Sequence, residues 1–79
     1  EGRIGRVSER DGRLLLDFGA DGLSGLRLVV AGADRRAFRR DGDPAALEGR
    51  MVRVRGVVQQ GEGRPQIALA SRAQIELLD

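Results

Sequence analysis

The chain has 79 residues, with 14 basic side chains, all arginine, against 12 acidic ones, so its formal net charge is only +2. It contains neither cysteine nor histidine, which excludes disulfide bonds and removes the thiol nucleophile, the commonest general base and the usual zinc ligands. No apolar run approaches the roughly 20 residues that a membrane-spanning helix needs. We therefore expect one small domain, residues 1–79, that folds by packing alone, without cofactors or membrane contact. Because it opens on strand-like sequence, we expect it to come from a longer protein.

Three short strands are predicted in the first part of the chain. The apolar segments at residues 3–7, 13–18 and 26–31 show the two-residue periodicity of strands. Asp11-Gly12, between the first two, is typical of a hairpin turn. Residues 19–25 are rich in glycine, aspartate and serine and are predicted to be a loop. The alternation puts one apolar face toward the core, made of Leu14, Leu16, Phe18, Leu26, Leu28 and Val30.

The middle of the chain is predicted to be helical. Asp34 is a candidate N-cap for a short helix in which Phe38 is the one large apolar side chain. Asp43 followed by Pro44 is typical of a second helical start, and Leu47 continues its apolar side. We expect Phe38 and Leu47 to close one end of the core.

Strand periodicity resumes at residues 51–58 and again at 65–70. Alternate valines of the first of these segments, Val58 included, are predicted to face the core. The stretch "QQGEG" between the two segments is typical of a turn, and Pro65 is tolerated at the start of a strand. A short apolar piece from Ile75 to Leu78 closes the chain.

The predicted order, β-β-β-α-β-β, indicates an all-β fold with one short helix. It matches the five-stranded Greek-key barrel known as the OB-fold, in which a helix follows the third strand. Gly5 and Gly56 suit the sharp coiling of a small barrel. An SH3-like barrel or a split β-sandwich are the alternatives, but neither needs a helix of this length at that position.

The segment "LEGRMVRVRGVV" is followed by "PQI" and "QIELL", and it is preceded by "LLLDFG" and "RAFRRDGDPAALEG". Together these segments, which cover most of the chain, resemble the OB-fold domain of bacterial thermonuclease-like (staphylococcal-nuclease-related) proteins. The family form is L-x-G-x-x-V-R-V-R-G, then G-P-x-I and Q-I-E-x-L. Two features depart from it: the aromatic that often follows "RVRG" is Val57 or Val58 here, and the "HPEQ"-like tail is "SRAQ". The resemblance implies a companion OB domain rather than the catalytic nuclease core.

Nucleic-acid binding is the sharpest functional hypothesis. OB-folds bind single strands on the face of strands two and three, using basic side chains for phosphates and aromatic ones for bases. The chain has two phenylalanines and no tryptophan or tyrosine, and both are predicted inside, so binding to single-stranded DNA or RNA would be electrostatic and weak. The candidate binding residues are Arg6, Arg13, Arg27, Arg53, Arg55 and Arg64.

Catalytic and metal sites have little support. Asp41, Asp43 and Glu48 offer hard oxygen ligands for Mg²⁺ or Ca²⁺, but "DGDP" is also the pattern of a turn into an N-cap, and we favour that interpretation. The "DFG" at Asp17 matches a kinase metal-binding motif by chance, because a chain of this length holds no kinase. We therefore predict no catalytic and no metal-binding residues.

The arginines have a simpler interpretation as a charged solvent coat. Such a coat keeps sheet edges from pairing, and exposed ion pairs with the acids contribute about 0–1 kcal/mol each. Against it, the helix repeats arginine at the four-residue spacing, in Arg35/Arg39 and Arg36/Arg40, and neighbouring like charges favour an anionic partner. Asp residues at 34, 41 and 43 are candidates to offset that repulsion.

A different class of function is a packing domain. In that case a monomer would dock on a protein or on a neighbouring domain of the same chain, through an exposed apolar patch of Leu15, Val29 and Val57. A sugar-binding or small-ligand barrel has no positive support in the sequence.

Overall fold

The computed structural model describes residues 1–19, 25–61 and 63–79, so most of the predicted 19–25 loop and Glu62 of the predicted turn lie outside the described residues. Single turns of 3-10 helix occupy Gly32–Asp34, Pro44–Leu47 and Arg72–Gln74. The described ranges form one α-helix, α1 (Arg35–Arg40), and seven strands: β1 (Gly2–Arg10), β2 (Arg13–Phe18), β3 (Arg27–Val30), β4 (Met51–Val54), β5 (Val58–Gln60), β6 (Pro65–Leu69) and β7 (Ile75–Leu77).

The strands form one curled sheet, a half-barrel, in the order β5-β6-β3-β2-β1-β4-β7. β1, β2 and β3 make an antiparallel meander, and β3 pairs with β6 in parallel. β4 pairs antiparallel with both β1 and β7. The predicted hairpin turn is confirmed at Asp11 and Gly12, whose φ angles of 53° and 77° suit a two-residue turn. The predicted mostly β character with one short helix is also confirmed.

The core lies on the inner face of the curled sheet, where the predicted alternation is confirmed. Phe38 of α1 and Leu47 of the second 3-10 turn join it, as expected, and are 1% and 2% exposed. Phe18 is half-buried and packs against the same cluster. The buried residues of that cluster are Ile4, Leu14, Leu16, Leu28, Val30, Phe38, Leu47, Val52, Ile67 and Leu69.

The predicted fourth strand is interrupted at residues 55–57, and this interruption separates β4 from β5. The backbone N–H of Arg55 donates to the carbonyl of Gln74 (2.9 Å), and the Gln74 side chain donates back to the Arg55 carbonyl (3.0 Å). Gly56 then passes so close to the sheet that a Cβ atom there would lie 2.5 Å from Ile67 Cγ2. Because the strand bends here, Val58 is 60% exposed and the prediction that it fills the core is wrong.

The two predicted helix caps differ in outcome. Asp43 acts as predicted, since its Oδ1 accepts from the backbone N–H of Ala45 at 3.0 Å ahead of Pro44. Asp34 occupies the N-cap position of α1, but its side chain makes no capping hydrogen bond. The reason is its backbone: Asp34 already belongs to a 3-10 turn, with φ −98° and ψ −7°, whereas a capping residue is normally extended.

Replacing Phe38 with alanine tests the assignment of this side chain to the core. We expect Phe38→Ala to lower the free energy of unfolding by about 3–5 kcal/mol, because a buried aromatic ring leaves a cavity. Urea denaturation followed by circular dichroism measures the change. Val57→Ala is the matched control, since Val57 is 76% exposed and its loss should stay within about 0.5 kcal/mol. Equal effects of the two changes would contradict the assignment.

Candidate nucleic-acid interface

A groove of about 390 Å³ crosses the outer face of the sheet, opposite the core. Alternation along β2 and β3 directs every second side chain to this face, and the register pairs Leu15 with Val29 and Asp17 with Arg27 across the two strands. β6 continues the face, since Arg27 is also opposite Gln66. The groove is lined by Arg13, Leu15, Arg27, Val29, Gln60, Gly61, Arg64 and Gln66.

A buried ion pair lies on this face beside the groove. Asp17 is only 2% exposed, and its carboxylate accepts two hydrogen bonds from Arg27, from Nε at 2.7 Å and from Nη2 at 3.1 Å. Two-point contacts of this kind between a guanidinium and a carboxylate are among the strongest hydrogen bonds in proteins. The pair therefore fixes the position of Arg27 and leaves the aspartate fully engaged, which gives the "DFG" aspartate a structural role.

Arg64 enters the groove from the segment between β5 and β6. Its Nε donates to the carbonyl of Gly25 at 3.0 Å, and its Nη1 lies 3.8 Å from Oδ1 of Asp17. The side chain is 13% exposed. Its Nη2 is buried and has no hydrogen-bond partner in the described part of the chain. An enclosed donor without an acceptor is uncommon and costly.

Arg13 stands at the exposed end of the groove. It is the first residue of β2 and lies directly opposite Arg10 of β1 across the hairpin. Neither side chain makes an ion pair with any described residue. Like charges directly opposite each other on a sheet are unfavourable, which leaves this pair of guanidiniums available to an anion.

The structure separates the six predicted arginines into two groups. Arg13, Arg27 and Arg64 line the groove, and Arg6 lies beside it on β1, opposite Asp17. The other two, Arg53 and Arg55, belong to the β4 side of the sheet, which β1 separates from β2. At most four of the six candidate arginines therefore lie at the groove.

Arg53 forms ion pairs with two nearby acidic residues. It contacts Glu1 at 2.7 Å and the cross-strand Glu76 at 3.2 Å. The hydrogen bond from Arg53 lowers the pKa of the Glu1 carboxyl below its ordinary value and raises the pKa of Arg53 itself. Arg55 is exposed, and its backbone rather than its side chain is engaged, through Gln74.

Gln60, Gly61 and Gln66 contribute to the groove but were not among the predicted residues. The alternation that turns Ile67 inward also turns Gln66 outward, so the sequence contained a signal for Gln66. The sequence contained no signal for Gly61, because its place in the groove depends on a close approach of its backbone to Arg64 and Gln66. A Cβ atom there would lie 2.9 Å from the carbonyl oxygen of Arg64 and would overlap the Gln66 amide.

The apolar patch expected for a packing domain does not form. Leu15 and Val29 are 4% and 8% exposed, whereas Val57 is exposed on its own. Leu15 and Val29 line the groove together with Arg13, Arg27 and Arg64. The prediction that these three residues share one exposed surface is wrong.

Other chemistry has few candidates among the described residues. No group of three or more acidic residues in residues 1–19, 25–61 and 63–79 is placed to hold a metal ion. Asp43 is used as a helix cap. The helices of the described ranges are all too short and polar to cross a lipid bilayer.

Comparisons with models of protein families, with curated proteins and with solved structures give no match for this chain.

The buried ion pair can be tested by a double-mutant cycle. Arg27→Leu should lower the free energy of unfolding by about 3 kcal/mol, because it leaves the enclosed Asp17 carboxylate without its main counter-charge. The double change Asp17→Leu with Arg27→Leu should recover at least half of that loss, since an apolar pair can replace a buried ion pair. Chemical denaturation of the parent protein, the single variants Asp17→Leu and Arg27→Leu, and the double variant measures both effects. Additive losses would contradict the coupling.

The pairing of Arg53 with Glu1 predicts a specific pH dependence. Because Glu1 has a lowered pKa in the folded state, its stabilising contribution is present above the unfolded value of about 4.3 and is lost as the pH falls through the folded value. In Arg53→Gln the Glu1 carboxyl should titrate at a higher pH than in the parent protein. An NMR pH titration of the Glu1 side chain measures this.

Arg55→Gln serves as the control for that titration, since Arg55 makes no contact with Glu1. It removes the same charge two residues further along the chain. A Glu1 titration that shifts equally in both variants would show a general charge effect instead of the specific pair.

Proposed function

We propose that this chain is a non-catalytic OB-fold module that binds single-stranded DNA or RNA weakly, through electrostatic contacts in the groove between β2, β3 and β6. We further propose that it serves as an accessory domain of a thermonuclease-like protein, as the sequence resemblance implies. One observation carries the binding proposal: Arg13, Arg27 and Arg64, distant in sequence, line one groove.

The strand connections support the OB-fold assignment. If β4 and β5 are counted as one strand bent at residues 55–57, it pairs through its first half with β1 and through its second half with β6. β3 lies parallel to β6, and β1, β2 and β3 form a meander. These pairings support a five-stranded Greek-key barrel, in which β7 would be an added strand. OB-folds bind oligonucleotides on the face of strands two and three, between the 1–2 and 4–5 connections, so a groove lined by β2 and β3 supports binding there.

The charge of the groove supports an anionic ligand. Three guanidiniums line it, and the nearest carboxylate, that of Asp17, is already bound by Arg27. Arg13 forms no ion pair with a described residue, so its guanidinium is available to an anion. Phosphate oxygens suit it, because they carry charge and accept hydrogen bonds.

The groove lacks an aromatic platform, which sets the strength and selectivity we propose. Phe38 is buried and Phe18 packs against the core, and these are the two aromatic residues of the chain. Base stacking on aromatic rings is therefore absent, and it contributes about 1–3 kcal/mol per base where it occurs. Gln60 and Gln66 offer amide groups for hydrogen bonds to bases. Binding would be weak, sensitive to salt and tolerant of sequence.

A packing domain is the second candidate, favoured by exposed apolar side chains at two places. Val57 and Val58, at the bend between β4 and β5, are 76% and 60% exposed. Leu77 and Leu78 are also partly exposed, at the edge of the sheet formed by β7. Surfaces of this kind suit contact with another domain.

Titration of a labelled single-stranded oligonucleotide of about 10 nucleotides tests the binding proposal, since one OB-fold covers about 4–16 nucleotides. With three phosphate contacts, the logarithm of affinity should fall against the logarithm of salt with a slope of about −2, or about 18-fold between 50 and 200 mM. Arg13→Gln should reduce that loss to about 7-fold by removing one contact.

Arg50→Gln is the matched control. It removes the same charge from a residue that pairs with Asp79 on the β4 side, so it should leave the salt dependence unchanged. Amide shifts in an NMR titration should concentrate at residues 13, 27 and 64. Absence of binding at low salt would overturn the proposal, and so would an equal change in the salt dependence of affinity in Arg13→Gln and Arg50→Gln. Amide shifts confined to residues 57, 58, 77 and 78 would favour the packing domain.

A further inference from the structure

A second cleft, of about 710 Å³, lies between the end of β1 and helix α1. We name it the hairpin–helix cleft, and its lining residues are Glu9, Gly32, Ala33, Arg35, Arg36 and Arg39. Three arginines therefore face one acid. Neither the groove nor the proposed binding of a strand there accounts for this concentration of charge.

Packing contacts hold the two walls of the hairpin–helix cleft together. Gly32, just before α1, lies against the β1–β2 turn so closely that a Cβ atom there would be 3.1 Å from the carbonyl oxygen of Gly12. Arg35 Nη1 reaches Glu9 Oε2 at 3.2 Å, and Arg39 contacts the same carboxylate. The helix is thus attached to the hairpin, and the cleft does not depend on a flexible connection.

Glu9, and not the neighbouring aspartates considered from the sequence, offsets the Arg35/Arg39 pair. Its single carboxylate cannot use all the N–H groups of two guanidiniums, since each has five. The two arginines are thereby held in place with donors to spare. Such pre-positioned guanidiniums suit an anion that accepts several hydrogen bonds.

Two further pairs of like charges lie on the elements that form the cleft, α1 and the β1–β2 hairpin. Arg36 and Arg40 lie one turn apart on α1, and both are exposed. Arg10 and Arg13 lie opposite each other at the end of the hairpin. None of the four forms an ion pair with a described residue. Each pair costs a few tenths of a kcal/mol or more on its own, which an anionic partner would reverse.

Arg13 belongs both to the groove and to the end of the β1–β2 hairpin. It lines the groove, and it is the cross-strand neighbour of Arg10. The hairpin turn in turn lies against the segment before α1, through Gly12 and Gly32. A series of basic side chains on adjoining elements suits a chain of phosphates better than a single small anion.

We infer that the hairpin–helix cleft is a second phosphate-binding surface, which holds the continuation of a single strand that already occupies the groove. This inference rests on the proposed function. Arg36 and Arg40, with Arg10, bind the additional phosphates, while Arg35 and Arg39 are held ready by Glu9. A strand must extend past Arg13 to reach them, so the contribution of the cleft depends on ligand length.

The test compares two oligonucleotide lengths, about 4 and about 16 nucleotides, which span the range that one OB-fold covers. The double variant Arg36→Gln with Arg40→Gln should reduce the salt slope for the long strand by about 1.4, which corresponds to two phosphate contacts. The short strand should bind both proteins alike. Thermal unfolding confirms that the exposed substitutions leave the fold intact.

The double variant Arg50→Gln with Arg53→Gln is the control, because it removes the same two charges from the β4 side. It should leave the slope unchanged at both lengths. If the salt slope for the long strand falls no more in the helix variant than in this control, the inference is overturned. Binding of the short strand would then still support the groove function, and the basic helix would suit an acidic protein. If neither length binds the parent protein, the proposed function fails as well.

Discussion

A carboxylate enclosed on the outer face of a sheet requires counter-charge nearby, and this requirement organises the groove. Asp17 receives two hydrogen bonds from Arg27 on the neighbouring strand, which also secures the register of β2 against β3. Arg64, from the other end of the chain, lies within 3.8 Å of the same carboxylate. One buried acid thus gathers two arginines that are far apart in sequence, and the remaining basic residue of the groove, Arg13, adds charge that Asp17 does not neutralise.

The interruption between β4 and β5 positions the other wall of the groove. A single amide side chain, that of Gln74, is central to it: Oε1 accepts from the backbone N–H groups of Ala70 and Ser71, at 2.8 and 3.1 Å, while Nε2 donates to Arg55 at 3.0 Å. This joins the end of β6, the last 3-10 turn and the end of β4. β5 starts only after this bend, and Gln60, Gly61 and Arg64 reach the groove.

The small net charge conceals an uneven distribution of positive residues. On the β4 side, Arg50 and Arg53 are matched by Asp79, Glu1 and Glu76. At the hairpin end and on α1, four arginines have no acidic partner among the described residues. For exposed groups the pairs themselves add little stability, so the difference matters mainly for where an anion would be attracted. The arginine-rich composition is therefore a solvent coat on one side of the molecule and a candidate binding surface on the other.

Local sequence patterns determined the mostly β fold, the hairpin at Asp11, the cap at Asp43 and the buried positions of Phe38 and Leu47. These features depend on local backbone preferences and on the alternation of apolar residues. The strand break at residues 55–57 was not predictable in this way, because its cause is Gln74, far along the chain. Val58 was misplaced for the same reason.

The candidate site shows the same division. The sequence by itself determined which residues are basic and which strand positions point away from the core, and so identified Arg13, Arg27 and Arg64 as candidates together with three others. Only the tertiary structure decided that these three share a groove while Arg53 is paired with acids. It also decided that Leu15 and Val29 are covered and that helix α1 lies against the hairpin. The physical reason is that charge compensation and burial depend on neighbours brought together by strand pairing, and periodicity carries no information about which neighbours those are.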